Sequence, residues 1–545
     1  MKFASKKIFW NNLNNNQSSG TDLSAYVEKN KEKLRKKYLS IVKSISHTNV
    51  DGLNILDISQ ISQDFNLFES SLVEEKSIYK SKSIIFVLKV IALESILKNR
   101  SLQQYEIFNV EKENINTLEK IFFKKKNIIY QNIINNNHRV EAMVWCYDNL
   151  PNVIKVIYHV FKNLFLIANL GKINIKFQKV DYLFFSNTYY LKYFFKNNVK
   201  YENRLIGDVA NIVQKRDKAI IICHCDKSYA SEKETQKILL NSSKNFQLIS
   251  LNNLFSFKIL TKSFIIYICF FFNFKLRHFK NQIKKTNNLI NYFDLIEADW
   301  NSSFYGVVAF ENIKNYLILK EFFSKVEVIE KCFYICENQG WEKIFIKLCK
   351  IFCNKYLVVI GIINTAIRFW DFRYFFTIPR KNIGPDKVFI NQNIKFSKKI
   401  FYKNFCKNIT RRENIFKKYL KNPTKNNVIL NRVLIFGDIT KSHNDMLLNI
   451  LNNNSGQINF DFKSHPSTPV DLNNYSQLRV RDINFVKNKY YKVISIGATS
   501  ALIEAVSLSR HVAVFLPSGC LNFSPELKKK IKILYDKKDI INFIL

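Results

Sequence analysis

Acidic residues are scarce in this chain. It has 44 Asp and Glu against 84 Lys and Arg, which gives a formal net charge of +40. Such an excess attracts polyanions, namely nucleic acid, an anionic membrane face or phosphorylated substrates, without choosing among them. Lys, Asn, Ile and Phe are over-used together, as an AT-rich genome alone would produce, so the charge by itself assigns no partner.

The cysteines are few and scattered, and none of their groupings has the paired spacing of a zinc site or of a disulfide framework. The N-terminal stretch, residues 1–16, lacks the apolar h-region of a secretory signal. We therefore expect a cytoplasmic protein without a metal site. The closest cysteine groupings are Cys223 with Cys225, Cys332 with Cys336, and Cys349 with Cys353.

The apolar run that comes nearest to a membrane segment is too short to span. Residues 264–272 read FIIYICFFF, whereas a transmembrane helix needs about 20 apolar residues. Basic residues flank the run, with Lys258 and Lys262 before it and Lys275 and Arg277 after it. Two interpretations stay open: a buried core element, or a helix that lies in the membrane interface with its basic flanks on the headgroups.

Length and proline distribution indicate more than one domain. A domain usually has about 100–200 residues, so 545 residues favour two to four. Seven of the eight prolines lie after residue 378, and residues 379–386 form a dense Pro/Gly cluster typical of a linker. We predict an N-terminal α/β domain with helical additions over 1–378 and a C-terminal domain over 379–545.

Strand-like and helical patterns alternate along the chain, which predicts an α/β fold with a parallel, doubly wound sheet in the C-terminal domain. Ser442 and Asp445 resemble a capping box at the start of a helix. The predicted helices include 83–97 and 501–508, and the predicted strands are 182–186, 219–223, 433–436, 458–462, 492–496 and 512–516.

Two polar loops follow predicted strands of the C-terminal domain, where open parallel sheets bind their ligands. The first, 463–469, offers a cation, an imidazole and hydroxyls in a proline-stiffened segment. The second, 497–500, places small residues and hydroxyls at a helix N-terminus, which binds phosphate well but is also an ordinary place for Ser and Thr caps. The polar residues of these loops are Lys463, His465, Ser467, Thr468, Thr499 and Ser500.

Together the two loops resemble the paired His-Pro and Ser/Thr motifs of bacterial sialyltransferases and Kdo transferases, in which both motifs bind the CMP part of the donor. Further short stretches resemble a family of bacterial surface carbohydrate (O-antigen and capsule) biosynthesis proteins. Those stretches are residues 70–81, 334–342, 370–374, 385–391 and 521–525.

The resemblance implies a GT-B glycosyltransferase, in which two Rossmann-like domains face each other across a central cleft. The C-terminal domain would hold the donor nucleotide and the N-terminal domain the acceptor. His465 would be catalytic, because it would stabilise the charge that develops on the leaving CMP. The implied donor-binding residues are Lys463, Pro466, Ser467, Thr468, Gly497, Thr499, Ser500 and Glu504.

An inverting transfer also needs a general base, usually a carboxylate on the opposite domain. We favour Glu337, which stands in the polar cluster Glu-Asn-Gln after an apolar run, although a helix-capping role fits it as well. The sialyltransferase motif of two acids followed by glycine is missing. No Asp-x-Asp occurs, which favours a metal-independent enzyme without a cofactor. The other candidate bases are Glu74, Glu75, Asp299 and Glu342.

The expected partners are a nucleotide-sugar donor, with CMP favoured, and a glycan or lipid-linked acceptor. A lipid-linked acceptor would place the enzyme peripherally on the inner face of the cytoplasmic membrane. Two alternatives remain: transfer of glycerol- or ribitol-phosphate from a CDP donor, and a non-enzymatic protein that binds nucleic acid or a membrane through its basic residues. No nucleic-acid partner is expected, because the basic residues are dispersed and no known nucleic-acid motif occurs.

Overall fold

The computed structural model is a mixed α/β protein built on parallel sheets. It describes residues 6–11, 20–81, 83–98, 104–122, 128–133, 147, 150–169, 175–187, 217–224, 246–285, 290–363, 366–375, 383–391, 408–412, 428–454, 456, 458–465, 467–483, 489–509, 511–517, 520–527 and 531–545.

The described strands are β1 (Lys6–Phe9), β2 (Thr21–Asp22), β3 (Asn49–Val50), β4 (Leu53–Asn54), β5 (Gln60–Ser62), β6 (Phe65–Asn66), β7 (Tyr105–Phe108), β8 (Ile128–Gln131), β9 (Lys179–Asn187), β10 (Ala219–His224), β11 (Phe246–Ser250), β12 (Glu327–Ile335), β13 (Val358–Ile363), β14 (Lys387–Asn391), β15 (Asn408–Arg412), β16 (Val428–Phe436), β17 (Asn459–Lys463), β18 (Val480–Asp482), β19 (Lys489–Ile496), β20 (His511–Phe515) and β21 (Lys532–Leu534).

The described α-helices are α1 (Leu23–Lys29), α2 (Lys31–His47), α3 (Ile55–Ile58), α4 (Leu72–Glu75), α5 (Ser83–Lys98), α6 (Lys112–Phe122), α7 (Asn152–Asn169), α8 (Phe257–Phe271), α9 (Phe274–Lys285), α10 (Ile290–Tyr305), α11 (Val307–Phe323), α12 (Gly340–Phe352), α13 (Lys441–Asn452), α14 (Ala501–Leu508) and α15 (Lys537–Ile544).

Two of the parallel sheets share one strand order. The large sheet runs β11-β10-β9-β12-β13-β14-β15, and the small sheet runs β18-β17-β16-β19-β20-β21. Counted from the first strand of each, both begin 3-2-1-4-5-6, the order of doubly wound nucleotide-binding sheets. The order reverses between β9 and β12 in the large sheet and between β16 and β19 in the small one. Ligands of such sheets bind beyond the carboxyl ends of the strands at these switch points.

A third parallel sheet, β2-β1-β7-β8, lies at the N-terminus, and β3-β4 and β5-β6 are antiparallel pairs. This N-terminal part shares one continuous hydrophobic core with the large sheet, from Ile8 and Trp10 to Val388. The small sheet has a separate cluster on each face, one around Phe462 and one around Val514. Strands covered on both faces have to be apolar almost throughout, which explains why their sequences read as continuous apolar runs.

The predicted α/β pattern is confirmed, and all of the predicted strands lie within or overlap the strands observed here. The predicted capping box is wrong. Helix α13 begins at Lys441 after Thr440, with no side-chain cap bond, and the Asp445 carboxylate accepts a hydrogen bond from Tyr475 instead. Tertiary contact with the loop after β17 thus outweighs the local capping preference.

Strand pairing bears on the domain boundary predicted at 378. Both β14 and β15 follow that position and pair within the large sheet, and the small sheet begins only at β16. Part of the predicted linker, residues 379–382, lies outside the described residues. Its described end closes onto β13, because Asp386 accepts a hydrogen bond from the Val359 N–H at 2.8 Å. A Pro/Gly cluster therefore precedes a strand of the large sheet.

The apolar run 264–272 lies in α8 and at its C-terminal end. One face of this helix is buried, with Leu260, Tyr267 and Phe270 in the core, and the other face exposes Ile265 and Phe272. In the part of the chain that the structure describes, no single helix is long and apolar enough to cross a membrane. Helices α8 and α9 reach that length and hydropathy only as a pair, bent by 45°.

Candidate functional site

The strands of the small sheet place four loops at one edge, around the switch point between β16 and β19. Asp438 follows β16, His465 follows β17 and Gly497 follows β19, while Cys520 lies beyond β20. An edge where polar groups follow several adjacent parallel strands is the expected place for a ligand. Pro466 of the first predicted loop lies outside the described residues.

Gly497 brings the loop after β19 into close contact with the loop after β16. Its φ of +56° is left-handed, and a Cβ added there would lie 2.4 Å from Asp438 Oδ2 and 3.2 Å from His443 Nδ1. A side chain would therefore be both strained and in collision. The backbone of this loop can approach Asp438 only because position 497 is glycine.

Asp438 and His443 form the charged centre of this edge. His443 Nδ1 lies 2.9 Å from Asp438 Oδ2, and Asn444 fixes the Asp438 backbone by donating to its carbonyl and accepting from its N–H. Burial opposes the charge on His443, but the Asp438 carboxylate and Cys520 outweigh it and raise the His443 pKa to about 9. His443 is therefore an imidazolium at neutral pH.

Two further groups lie at this edge, the second Asp438 oxygen and the Cys520 thiol. Asp438 Oδ1 is buried and has no hydrogen-bond partner among the residues that the structure describes. His443 Nε2 lies 3.7 Å from Cys520 Sγ. Neither His443 nor Asp438 was singled out from the sequence. The one sequence feature that marked this position was the Gly-Asp pair directly after a strand. His443 itself lies in the first turn of a helix, where many histidines have no function.

His465 differs from His443 in its protonation. Its Nδ1 accepts a hydrogen bond from the Ser467 N–H at 3.2 Å, which leaves the ring hydrogen on Nε2. Burial lowers the His465 pKa, and the negative charge of Asp438 offsets this only in part. His465 is thus a neutral donor at neutral pH. Thr468 closes the same loop by donating to Ile439 O at 2.7 Å.

Lys463 and Glu504 lie opposite each other beside this loop. Lys463 Nζ is 3.4 Å from Glu504 Oε1, and both side chains are about one quarter exposed. The predicted phosphate-binding lysine therefore already has a carboxylate beside it. Ser467, the remaining predicted residue of the loop, is exposed.

Thr499 and Ser500 stand at the start of α14, as predicted, and have different tasks. The Thr499 hydroxyl accepts from the Ala501 N–H at 3.3 Å, which is the local capping role. Ser500 makes no cap bond. Its hydroxyl accepts instead from Arg368 Nη2 at 3.2 Å, and the same nitrogen donates to Ala498 O at 2.7 Å.

Arg368 joins the two halves of the molecule. It follows β13 at the carboxyl end of the large sheet, and it reaches the loop at the carboxyl end of the small sheet. Its Nε is buried without a partner among the described residues. Glu526 N donates to Ile367 O at 3.0 Å, so the segment after β20 lies against the same stretch. No sequence pattern pointed to Arg368, because the contact depends on how the two sheets are placed.

Glu337, the favoured base, follows β12 at the switch point of the large sheet. Its carboxylate accepts from Gln339 Nε2 at 2.7 Å and lies 3.9 Å from Arg373 Nη1, with the side chain 23% exposed. Asp371 holds Arg373 through two hydrogen bonds of 2.8 Å. The exposed ring of Tyr79 lies 5.1 Å from the Arg373 guanidinium.

Glu342 is the carboxylate that shapes the Glu337 loop. It is buried and accepts from the N–H groups of Glu337 and Asn338 at 2.8–3.1 Å. Burial, with the nearby charge of Glu337, raises the Glu342 pKa to about 8 although these N–H donors oppose the shift. Asn338 takes the left-handed conformation, with φ +57°. Glu342 therefore positions Glu337 and is itself inaccessible.

The remaining candidate bases are also held by structural contacts. Glu74 forms a buried pair with Lys76 at 3.3 Å. Asp299 accepts from Ser81 deep in the core, and burial raises its pKa to about 6. Glu75 alone lies beside the Glu337 loop, because it accepts from the Gly340 N–H at 3.2 Å.

Most of the stretches that carry the family resemblance lie close to the Glu337 loop. Residues 70–81 pack on 334–342, where Ser70 O lies so close to Gly340 that a Cβ there would come within 2.4 Å. Stretches 370–374 and 521–525 share one anchor, because Glu28 Oε1 accepts from both Trp370 Nε1 and the Asn522 N–H. The stretch 385–391 instead begins at the amino end of β14.

Comparison of the chain with protein-family models and with curated proteins gave no match.

Proposed function

We propose that the protein is a GT-B glycosyltransferase that transfers a sugar from a nucleotide donor during the synthesis of a bacterial surface polysaccharide. The supporting observation is that the carboxyl ends of two doubly wound sheets meet, with Arg368 of one bonded to the 498–500 backbone and hydroxyl of the other. A GT-B enzyme holds its substrates in a cleft between two such edges. The small sheet would bind the donor and the large sheet the acceptor.

The small-sheet edge supplies what a leaving nucleotide needs. The neutral His465 would donate its Nε2 hydrogen to a donor phosphate oxygen, and the positive end of the α14 dipole would lie beside the same anion. The guanidinium of Arg368 adds positive charge, whereas the charge of the His443 imidazolium is balanced by Asp438. Groups fixed in advance around the developing charge are the strongest source of rate enhancement in such sites.

The large-sheet edge supplies the base. Glu337 is the accessible carboxylate at that switch point, and Gln339 and Glu342 fix its position. In an inverting transfer the Glu337 carboxylate takes the proton of the acceptor hydroxyl. The acceptor oxygen attacks the anomeric carbon at the same time, and the nucleotide departs. Arg373 would keep the carboxylate in place, as its distance of 3.9 Å permits.

The donor is proposed to be a CMP-activated sugar, such as a Kdo- or sialic-acid-like ulosonic acid, bound without a metal ion because the sequence has no Asp-x-Asp and Arg368 can balance the phosphate charge. The acceptor is a glycan or a lipid-linked sugar, which places the enzyme peripherally on the inner face of the cytoplasmic membrane.

A nucleotide panel tests this proposal. CMP, CDP, UDP and GDP are added to the full chain in the presence of a chelator while thermal unfolding is followed. A ligand at 100 times its dissociation constant stabilises by about 2.7 kcal/mol. We expect stabilisation by CMP in the wild type and its loss in His465→Ala, while His511→Ala, at the opposite end of β20, serves as the matched control.

Other outcomes of the nucleotide panel would change the proposal. Binding of UDP without CMP contradicts the donor assignment. A preference for CDP over CMP supports the polyol-phosphate transferase alternative. A protein that binds none of the four nucleotides is not the enzyme proposed.

A further inference from the structure

Helices α7 and α8 expose a row of large apolar side chains outside the candidate site. On α7 the exposed residues recur every three or four positions, as one helical face requires. On α8 they recur along one face as well, and exposed residues continue at the start of α9. They are Ile154, Ile157, Tyr158, Phe161 and Phe165 on α7, then Phe257, Ile265, Phe272 and Phe274. We call these nine residues the apolar face.

The two helices lie side by side and run antiparallel. Near the end of α8, Phe271 and Asn152 of α7 line one cleft. Near its start, Lys314 lies over the Phe255 ring and donates to Asn163 of α7. The two exposed rows therefore belong to one surface. Exposed apolar patches of this kind mark interaction sites in soluble proteins.

The three helices that carry the apolar face hold charged residues of one sign. The sequences of α7, α8 and α9 contain no Asp or Glu, and they carry two, two and five Lys or Arg residues respectively. Some of these cations pair with other helices, as Lys280 and Lys284 do with Glu297 of α10. Lys162, Lys258, Lys262, Lys275 and Arg277 are exposed. Apolar side chains bordered by cations suit an anionic bilayer surface.

A polar cleft opens at the end of this surface. Its volume is about 400 Å³, and Arg277, Lys280, Asn281 and Tyr305 line it beside the first turn of α7. The Tyr305 hydroxyl is buried without a hydrogen-bond partner among the described residues. Phe271 forms one wall, and the exposed Phe272 and Phe274 follow it. Cationic and hydroxyl donors next to apolar side chains match a phosphate headgroup joined to acyl chains.

We infer that the apolar face docks on an anionic phospholipid bilayer and that the cleft takes a headgroup phosphate. Phe161, Phe165 and Phe272 would enter the acyl boundary, while Arg277 would bind phosphate oxygens. The inference builds on the peripheral attachment proposed above but not on the transfer chemistry.

The test is sedimentation of the full chain with vesicles, either of phosphatidylcholine alone or of phosphatidylcholine mixed with phosphatidylglycerol, whose anionic headgroup creates a negative surface potential. We expect binding to the anionic vesicles only. Phe161→Ser/Phe165→Ser should abolish it, whereas Leu430→Ser, an equally exposed change on β16, should not. Each variant is checked for folding by circular dichroism and for nucleotide binding, so failure of the donor proposal is seen separately.

The cleft is tested by comparing Arg277, which lines it, with Lys262, which lies on the same surface outside it. A basic residue near an anionic membrane contributes about fivefold in affinity, so Lys262→Gln should weaken binding by about that factor. Arg277→Gln should weaken it several times more, and Lys325→Gln, two residues beyond the end of α11 and paired with Glu321, should have no effect.

Three results would overturn the inference. The wild type could remain in the supernatant at low salt. Arg277→Gln and Lys262→Gln could be equivalent, which would remove the headgroup site. The protein could be a dimer that Phe161→Ser/Phe165→Ser converts to a monomer, which would make a second copy the occupant of the face.

Discussion

The switch points of the two sheets have the same topology but carry different charge. Each uses a buried carboxylate to fix its loop: Asp438 in the small sheet and Glu342 in the large one. Asp438 pairs with the His443 imidazolium, so the two charges cancel and Arg368 supplies the net positive charge at this edge. Glu342 binds backbone N–H groups and leaves Glu337 as the accessible charge. A cationic edge suits a phosphate, and an anionic edge suits a hydroxyl that has to lose its proton.

The two edges also differ in how they are built. The Glu337 loop is covered by residues 70–81 and 370–374 and belongs to the larger core. The small-sheet loops rest mainly on one another, through Gly497 against Asp438 and His443. Substitutions in the Glu337 loop should thus change turnover and leave the loop structure in place. Substitutions in the small-sheet loops should change the loop structure and the charge at that edge together.

The largest effect should come from removing the base. Glu337→Gln keeps the size and the Gln339 contact but cannot take a proton, so turnover with the donor identified in the nucleotide panel should fall about 100- to 10,000-fold. Nucleotide binding should be retained. Glu321→Gln, on the exposed side of α11, is the control. If Glu337→Gln keeps most of its turnover, Glu75 becomes the base to examine.

Loss of the donor to the leaving group should come next. His465→Ala should lower turnover on the order of 100- to 1000-fold, the cost of one preorganised charge-stabilising donor. Nucleotide affinity should fall as well, unlike in Glu337→Gln. A His465→Ala variant with more than half of wild-type turnover would remove His465 from the site.

A pH series should show how much the pairing of His443 with Asp438 stabilises the fold. The folded-state pKa of His443, about 9, lies above its ordinary value of 6.5. Its stabilising effect is therefore complete below pH 6.5 and is lost as the pH rises through 9, with a size on the order of 3 kcal/mol. Urea unfolding of the wild type from pH 6 to 10 should show this loss. Asp438→Asn should flatten the curve; an unchanged curve would mean that the pair contributes no stability.

Two glycines share the same backbone angle, and the substitution at Gly456 should have the smallest effect of all. Gly456 and Gly497 have φ near +57°, but a Cβ at 456 meets nothing within 4 Å. Gly456→Ala should cost only the left-handed penalty, about 1 kcal/mol. Gly497→Ala adds the collision with Asp438, so it should destabilise by about 1–3 kcal/mol more and weaken nucleotide binding. Equal losses would show that the loop moves freely away from Asp438.

Local patterns were enough to predict the small sheet. Strands such as β19 are apolar because both faces are covered, and the glycine and hydroxyls after it mark a strand-to-helix turn. From these, the positions of His465, Thr499 and Ser500 at one edge could be predicted. The capping box at Ser442 was wrong because Asp445 bonds across to Tyr475, a partner 30 residues away.

The contacts between distant parts of the chain could not be predicted in this way. Arg368 and Ser500 come together only because of how the two sheets are placed. Asp438 stabilises the charge on His443 across a turn, which hydrophobic periodicity does not predict. The same holds for 264–272, where the sequence left core and membrane interface open. The helix has one buried face and one exposed face, and the apolar sequence of 264–272 does not indicate which side chains lie on which face.

The most direct test of the account is hydrogen exchange of the full chain with and without CMP. A donor held between the two sheet edges should protect peptides that cover 463–469 and 497–503, and also 366–375 around Arg368, while α7 and α8 stay unchanged. Protection confined to other regions, or none at saturating nucleotide, would contradict a donor site at the meeting of the two sheets.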